Sequence, residues 1–360
     1  MMYPLEVSGV IRADERSDFV RAADRISASR PQVVSIQHEY GLFGGQDGSF
    51  ILDLVDRLRV PAVATLHTVL RRPTPSQRDV MLRLLERTSA VVVMSRAASR
   101  LLQDVYGAPS SRIRVIPHGV PDLPLVDSGL RKPDFGLEGR SVILSFGLLG
   151  PGKGYELVIE AMARIAKDRP DALYVVLGAT HPNLVRTEGE AYRDRLKKAV
   201  SDLGLRGHVR LVDRYVGQEE LGRWLQAADV FVTPYPNLEQ IVSGTLSYAL
   251  AAGKPVVSTP FAHAAEVLSD GRGVLVAPNS PEEMADALSG LLGDKVRRAE
   301  IGRRAYAFSR DRIWREVGAT YAELFEQVAR RAGSVGTMPI PRISLADELT
   351  AERPALVAHG

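Results

Sequence analysis

Two short segments carry side chains suited to holding a phosphorylated ligand. The first runs Ser145-Phe-Gly-Leu-Leu-Gly-Pro-Gly-Lys-Gly154. It follows an apolar run and precedes an amphipathic one, so it reads as a strand-to-helix turn. Gly147, Gly150, Gly152 and Gly154 permit close backbone approach, and Lys153 offers a point charge for phosphate oxygens. The N-terminus of the following helix adds free N–H groups that suit the same ligand. The spacing matches neither a Walker A loop nor the G-x-G-x-x-G fingerprint. By itself it is equally compatible with a turn whose lysine is solvated.

The second segment runs from Pro234 to Pro255. A strand ends at Thr233, a Pro-bearing loop carries Glu239, and Ser243-Gly244-Thr245 open a helix that Gly253 ends. Ser and Thr are favoured at helix starts because their oxygens satisfy otherwise free N–H groups. The remaining N–H groups and the helix dipole make an anion site, so Ser243, Gly244 and Thr245 are candidate diphosphate ligands. Glu239 stands where it can hydrogen-bond sugar hydroxyls; plain capping with a solvated glutamate is the alternative. A third segment, Gln37-His-Glu-Tyr-Gly-Leu-Phe-Gly-Gly45, leaves a strand end and enters a Gly-rich loop. Its His38, Glu39, Gly44 and Gly45 are candidates for contact with an acceptor or sugar, or else for a satisfied structural network.

The elements that must position these residues follow from an alternation. Apolar β-branched runs recur at 33–36, 62–66, 90–94, 113–116, 142–146, 173–177, 209–212, 230–233, 255–258 and 273–276. Amphipathic stretches lie between them, at 18–29, 50–58, 77–88, 96–106, 155–166, 190–203, 218–227 and 281–292. That order predicts parallel sheets covered by helices. The Pro- and Gly-dense stretch 117–133 breaks the rhythm and reads as a linker. The expected organisation is a Rossmann-like unit over 1–133 and a second over 134–310. A last helix over 311–332 then returns to the first unit, and 333–360 reads as a mobile tail. Ligands of such sheets lie beyond the carboxyl ends of the strands.

Composition narrows the function. The 360 residues hold 46 basic and 43 acidic side chains, a net charge of +3 that is too small to point to nucleic acid. An Arg-rich surface leaves room for weak peripheral attraction to anionic lipid. No cysteine is present, which excludes disulfides, thiol catalysis and Cys-ligated metal. The seven histidines are scattered and form no metal-ligand spacing. No run of eighteen apolar residues and no leader pattern is visible, so a cytoplasmic location is expected.

Together, in this order, the segments resemble the GT4 family of retaining GT-B glycosyltransferases. That family opens its second domain with glycine–arginine–x–x–x–x–lysine–glycine, here Gly147-Leu-Leu-Gly-Pro-Gly-Lys153-Gly154. Its Glu–seven residues–Glu signature aligns with Glu239 and Ser247, followed by a Gly-x-Pro-Val strand at Gly253-Lys-Pro-Val256. Thr65-Leu-His67 matches its strand-end histidine, and Val115-Ile-Pro-His-Gly-Val120 resembles its Val-Ile-Pro-Asn-Gly-Val. The resemblance spans about 32–330. It implies a GT-B fold, two Rossmann-like domains facing a cleft, with the first domain incomplete at its start. It implies Glu239 and His67 at the transferred sugar and Lys153 at the diphosphate. It further implies a UDP- or GDP-sugar as substrate, a mannosyl or glucosyl group by default and a carbohydrate or glycoside acceptor. Transfer would retain configuration, with no cofactor and no metal, the leaving diphosphate taking the acceptor proton.

The chain departs from the family pattern at two contacts. Leu148 replaces the diphosphate arginine and Ser247 replaces the ribose glutamate. Ser247 itself, by one hydrogen bond or a bridging water, and Arg214 and His181 are candidate nucleotide or sugar contacts. The same departures are compatible with a non-catalytic or partner-dependent GT-B module. A phosphorylase, which has no ribose to bind, is a further alternative.

Overall fold

The computed structural model describes residues 5–332. The mobile tail expected over 333–360 lies outside the described residues. The chain begins with α1 (Arg16–Ser29) and β1 (Val34–His38), then α2 (Ile51–Arg57), β2 (Ala62–Leu66) and α3 (Pro75–Arg87). β3 (Ala90–Val93), α4 (Arg96–Tyr106) and β4 (Ile113–Val115) complete the first sheet, of order β1-β2-β3-β4, all parallel. Local signals set the helix ends. Thr74 and Gln77 form a reciprocal capping box ahead of α3, and Ser95 caps α4 before Gly107 ends it in the left-handed region.

The second sheet starts at β5 (Ser141–Phe146), followed by α5 (Tyr155–Asp168), β6 (Ala172–Leu177), α6 (Pro182–Glu188), α7 (Ala191–Asp202) and β7 (Val209–Val212). The chain continues through α8 (Gln218–Ala227), β8 (Val230–Thr233), α9 (Gly244–Ala251), β9 (Val256–Ser258), α10 (Ala262–Val267) and β10 (Gly273–Leu275). It closes with α11 (Pro281–Gly293), α12 (Lys295–Phe308) and α13 (Trp314–Arg331). The sheet order is β10-β9-β8-β5-β6-β7, again all parallel. β6, β8 and β9 are buried along their whole length and β5 at all but its two end residues, as strands covered on both faces must be. Among the described residues no helix is long and apolar enough to cross a membrane.

The two sheets are wound differently, and this decides where a site can form. In the second, the chain moves outward from β5 to β7 and then restarts on the other side at β8. That reversal leaves a crevice between the carboxyl ends of β5 and β8. The first sheet never reverses. Right-handed crossovers then place its connecting helices on one face. Strand periodicity separates the two faces. Ala62, Ala64, Leu66, Val91 and Val93 pack in the cluster that holds α2, α3 and α4, while Val63, Ala90 and Val92 face the other way. That second face is covered by α13, through Val317, Leu324 and Val328.

Both chain crossings between the units run side by side. Val120 N–H donates to the Arg312 carbonyl and Trp314 N–H donates to the Val120 carbonyl, each at 2.9 Å. Three helices escape the sequence reading: α6, α10 and α12. α12 buries only Ile301, Gly302 and Ala305, too few to show a helical apolar stripe. α10 is six residues long, under two turns. The first strand runs to His38 rather than ending at Ile36. The last helix starts at Trp314 because 310–312 form a 3-10 turn before the Ile313 bridge.

Candidate functional site

The crevice between β5 and β8 gathers the two phosphate-suited segments. After β5 the chain turns through Gly147 to Lys153, and after β8 it turns through Tyr235 to Glu239. The turns press together. At Gly154 φ is 67°, and a Cβ there would lie 2.2 Å from the Pro234 carbonyl oxygen, so the lysine turn requires glycine at its end. Lys153 Nζ stands 4.8 Å from the centre of the Tyr235 ring. The Tyr235 hydroxyl and Thr245 Oγ1 are 2.8 Å apart, which ties this turn to the start of α9. Thr245 also lies in van der Waals reach of Gly147. A Cβ at Gly152 would meet no atom within 4 Å, so the turn is open there.

At the start of α9, Ser243 is occupied with its own fold. Its Oγ accepts from Leu246 N–H at 3.3 Å, its N–H donates to His263 Nδ1 at 3.0 Å, and its carbonyl accepts from Ser247 Oγ at 3.0 Å. Gly244 and Thr245 hold the next positions, whose N–H groups have no intrahelical acceptor. A Cβ at Gly244 would lie 2.9 Å from His118 Nε2, so a side chain there would force one of the two to shift. The Ser247 hydroxyl points back along its own helix, so the ribose position is not served by that O–H.

Glu239 sits on the turn with its side chain 44% exposed, and its N–H donates to Asn237 Oδ1 at 3.0 Å. Across the cleft, Arg71 Nε stands 4.0 Å from its carboxylate. A cavity of about 540 Å³ lies between the strand ends of the first sheet and α13. Gln37, Glu39 and His67 form its polar side, and Leu42, Trp314 and Phe325 its apolar side. His67 Nε2 and Gln37 Oε1 are 3.0 Å apart. Burial lowers the His67 pKa, and nearby His118 adds to that, so the ring is neutral at physiological pH. Glu39 is held by Thr68 Oγ1, which donates at 2.5 Å, and by the Tyr40 N–H at 2.9 Å.

Other candidates fall outside this gathering. Strand alternation turns Gln37 toward the cavity and His38 away, into the helix-covered face. The His38 ring is fully buried and stacks on Phe43, and neither nitrogen has a hydrogen-bond partner among the described residues. Burial pushes its pKa down to about 4. Gly44 lies against the Ala13 carbonyl and Gly45 against Phe50, so both shape the loop. Arg214 is paired with Glu220, and His181 caps α6 by accepting from Asn183 N–H at 3.2 Å.

Sequence reasoning assigned no role to His118, Arg71 or His263. His118 Nδ1 is 2.7 Å from the Gly119 carbonyl oxygen, and its ring packs near Tyr248 and Trp314. Its signal was the histidine in place of asparagine within Pro117-His-Gly119. Arg71 had none beyond lying a few residues after a strand end.

Comparison with known proteins bears on this geometry. The model for Glycosyl transferases group 1 matches residues 130–308, and that for Glycosyltransferase Family 4 matches 12–122. A D-inositol 3-phosphate glycosyltransferase of Kineococcus radiotolerans is 30% identical over 322 residues, 82% of this chain and 71% of its own. A GDP-mannose-dependent alpha-(1-6)-phosphatidylinositol monomannoside mannosyltransferase of Mycolicibacterium smegmatis is 28% identical over 277 residues, 74% of this chain and 69% of its own. Among solved structures, HepE of Anabaena in complex with UDP superposes with a TM-score of 0.72 at 18% identity, covering 86% of this chain and 82% of its own. Matched in both halves and sharing the two-sheet GT-B fold, the chain belongs to the GT4-type glycosyltransferases.

Proposed function

We propose that this glycosyltransferase moves a hexosyl group, mannosyl or glucosyl, from a UDP- or GDP-sugar to a carbohydrate or glycoside acceptor, with retention of configuration. One observation supports the reading: Lys153 stands over the Tyr235 ring, whose hydroxyl meets Thr245 at the start of α9, and Tyr235 and Glu239 share the turn after β8. Lys153 with the Gly244 and Thr245 N–H groups would hold the diphosphate, backed by the positive end of α9. Glu239 and His67 would hold the sugar from opposite sides. The cavity beside Gln37, Glu39 and Trp314 would take the acceptor, its apolar wall receiving the C–H face of a ring. Residues 134–310 would then be the donor unit and 1–133 the acceptor-side unit.

In this scheme the acceptor oxygen bonds to the anomeric carbon on the face that the diphosphate leaves. The carbon–oxygen bond to phosphate breaks, and its electron pair stays on the diphosphate, which takes the acceptor proton. The protein then stabilises developing negative charge, the electrostatic contribution that is often the largest in catalysis. The relatives' names supply the donor choices: one uses GDP-mannose, and a structural neighbour was solved with UDP. Calorimetry with UDP and GDP tests the donor site, and saturable binding of one of them is expected. Turnover of a sugar-nucleotide panel, with the product anomer read by NMR, tests the reaction. Binding of neither nucleotide, or an inverted product, overturns the proposal.

A further inference from the structure

The loop that carries Glu239 has almost no regular structure of its own, so its backbone needs outside partners. Three of them come from the first two residues of α10. Ala262 N–H donates to the Leu238 carbonyl at 2.9 Å, His263 N–H donates to the Gln240 carbonyl at 3.2 Å, and His263 Nδ1 accepts from Ser243 N–H at 3.0 Å. The last bond is unusual because a side chain, not the helix, fixes the residue that caps α9. His263 is buried, and an accepting Nδ1 places its single proton on Nε2. Burial holds the ring neutral, with His118 and Arg312 adding to the effect, so the acceptor persists down to strongly acidic pH.

The same short helix touches the opposite unit. Three residues on from His263, Glu266 receives the N–H groups of Arg96 and Ala97, each at 3.0 Å, at the start of α4. The carboxylate thereby meets the positive end of an eleven-residue helix. Ile241 of the Glu239 loop is 5% exposed and packs in the core cluster of the first sheet. The loop is therefore seated on the first unit by an apolar plug, and strapped from behind by α10.

We propose that His263 is a positioning residue for sugar transfer: through Ser243 it fixes the Gly244–Thr245 amides and the Glu239 loop, and Glu266 ties that arrangement to the first unit. This rests on the reading of Glu239 and the α9 start as the donor site. His263 touches no substrate. It sets where two backbone donors and one carboxylate stand, and displacements of about 1 Å in such groups can cost 10²-fold.

Three variants of the full chain test this. His263→Leu keeps volume and removes the acceptor; His263→Asn keeps an oxygen near the position of Nδ1. Expected for His263→Leu is a donor KM raised about tenfold and a lower kcat, with acceptor KM unchanged, the scale following from misplacement. His263→Asn should recover most of the loss. Amide hydrogen exchange of 239–246 in the ligand-free protein should rise in His263→Leu and return in His263→Asn. Glu266→Ala should raise exchange both at the start of α4 and in 239–246. Unchanged exchange and donor KM in His263→Leu, or no recovery in His263→Asn, overturns the role of His263. A change confined to α4 in Glu266→Ala overturns the tie between units. The exchange result stands even if the wild type binds no nucleotide, in which case it is the donor-site reading that fails.

Discussion

The two sheets face one cleft with unlike chemistry. The second sheet offers mainly backbone: glycine turns, the amide end of α9, and two charged side chains, Lys153 and Glu239, on loops. The first offers side chains on strand ends, Gln37, His67 and Glu39, facing the aromatic wall of α13. Winding accounts for the contrast. A sheet that reverses its order opens a crevice at the reversal, and backbone lines it. A sheet that does not reverse leaves one face bare, and the chain's last helix covers it incompletely. A backbone-built site tolerates side-chain loss better than a side-chain-built one. On the proposed reading, that is how Leu148 and Ser247 could stand where the resemblance aligns an arginine and a glutamate.

The largest expected effect tests whether the second sheet has any indispensable side chain. Glu239→Ala should lower kcat by about 10²-fold or more, the scale for removing one preorganised contact to developing charge. UDP or GDP binding should change little if, as proposed, the carboxylate meets the sugar rather than the nucleotide. Steady-state kinetics beside calorimetry separates the two. Lys153→Ala should come next, weakening nucleotide binding by about ten- to a hundredfold, as loss of a charged hydrogen bond implies. If Lys153→Ala leaves affinity intact, the amides alone suffice and the contrast between the sheets becomes sharper.

How far the sequence disclosed this depends on the kind of signal. Sheet type, the helices other than α6, α10 and α12, and the two segments that hold Lys153 and Ser243–Thr245 were legible, because β-branched runs, caps and glycines act locally. The partition of Gln37 from His38 was legible in principle: alternation from Val34 through Ile36 puts His38 on the covered face. The roles of His118 and His263 were not legible. Each acts on residues far away in sequence, His118 on Gly244 and His263 on Ser243, and no periodicity encodes such a pairing. Arg214 and His181 differ: their partners, Glu220 and the Asn183 N–H, are close in sequence, in ordinary surface and capping contacts.

A smaller effect probes where the two regions meet. Gly244→Ala adds a methyl 2.9 Å from His118 Nε2, and the ring has little room to retreat between Tyr248 and Trp314. The start of α9 must then shift, at the roughly 1–3 kcal/mol typical of overpacking. Nucleotide affinity should fall about fivefold or more on that scale. Adding His118→Ala should recover part of it. Calorimetry on the single and double variants checks this. Full additivity of the two changes would mean that the units do not communicate through this contact.

The smallest effect on turnover, and the most direct test of the first sheet, concerns His38. Its pKa is lowered to about 4 by burial foremost and by nearby His67. A histidine held neutral in the fold must gain a proton to unfold in acid. Its contribution is fully present above the unfolded pKa of about 6.5 and is lost as pH falls toward 4; the integral is on the order of 3 kcal/mol. His38→Leu removes the buried ring nitrogens and the protonation, so acid unfolding followed by circular dichroism should move to lower pH. Donor and acceptor KM should stay within about twofold, because the ring lies on the face away from the cavity. The opposite result, an unmoved acid transition with a raised acceptor KM, would place His38 in the site. The first sheet would then present both of its faces to substrate, and the division of labour between its strand faces would fall.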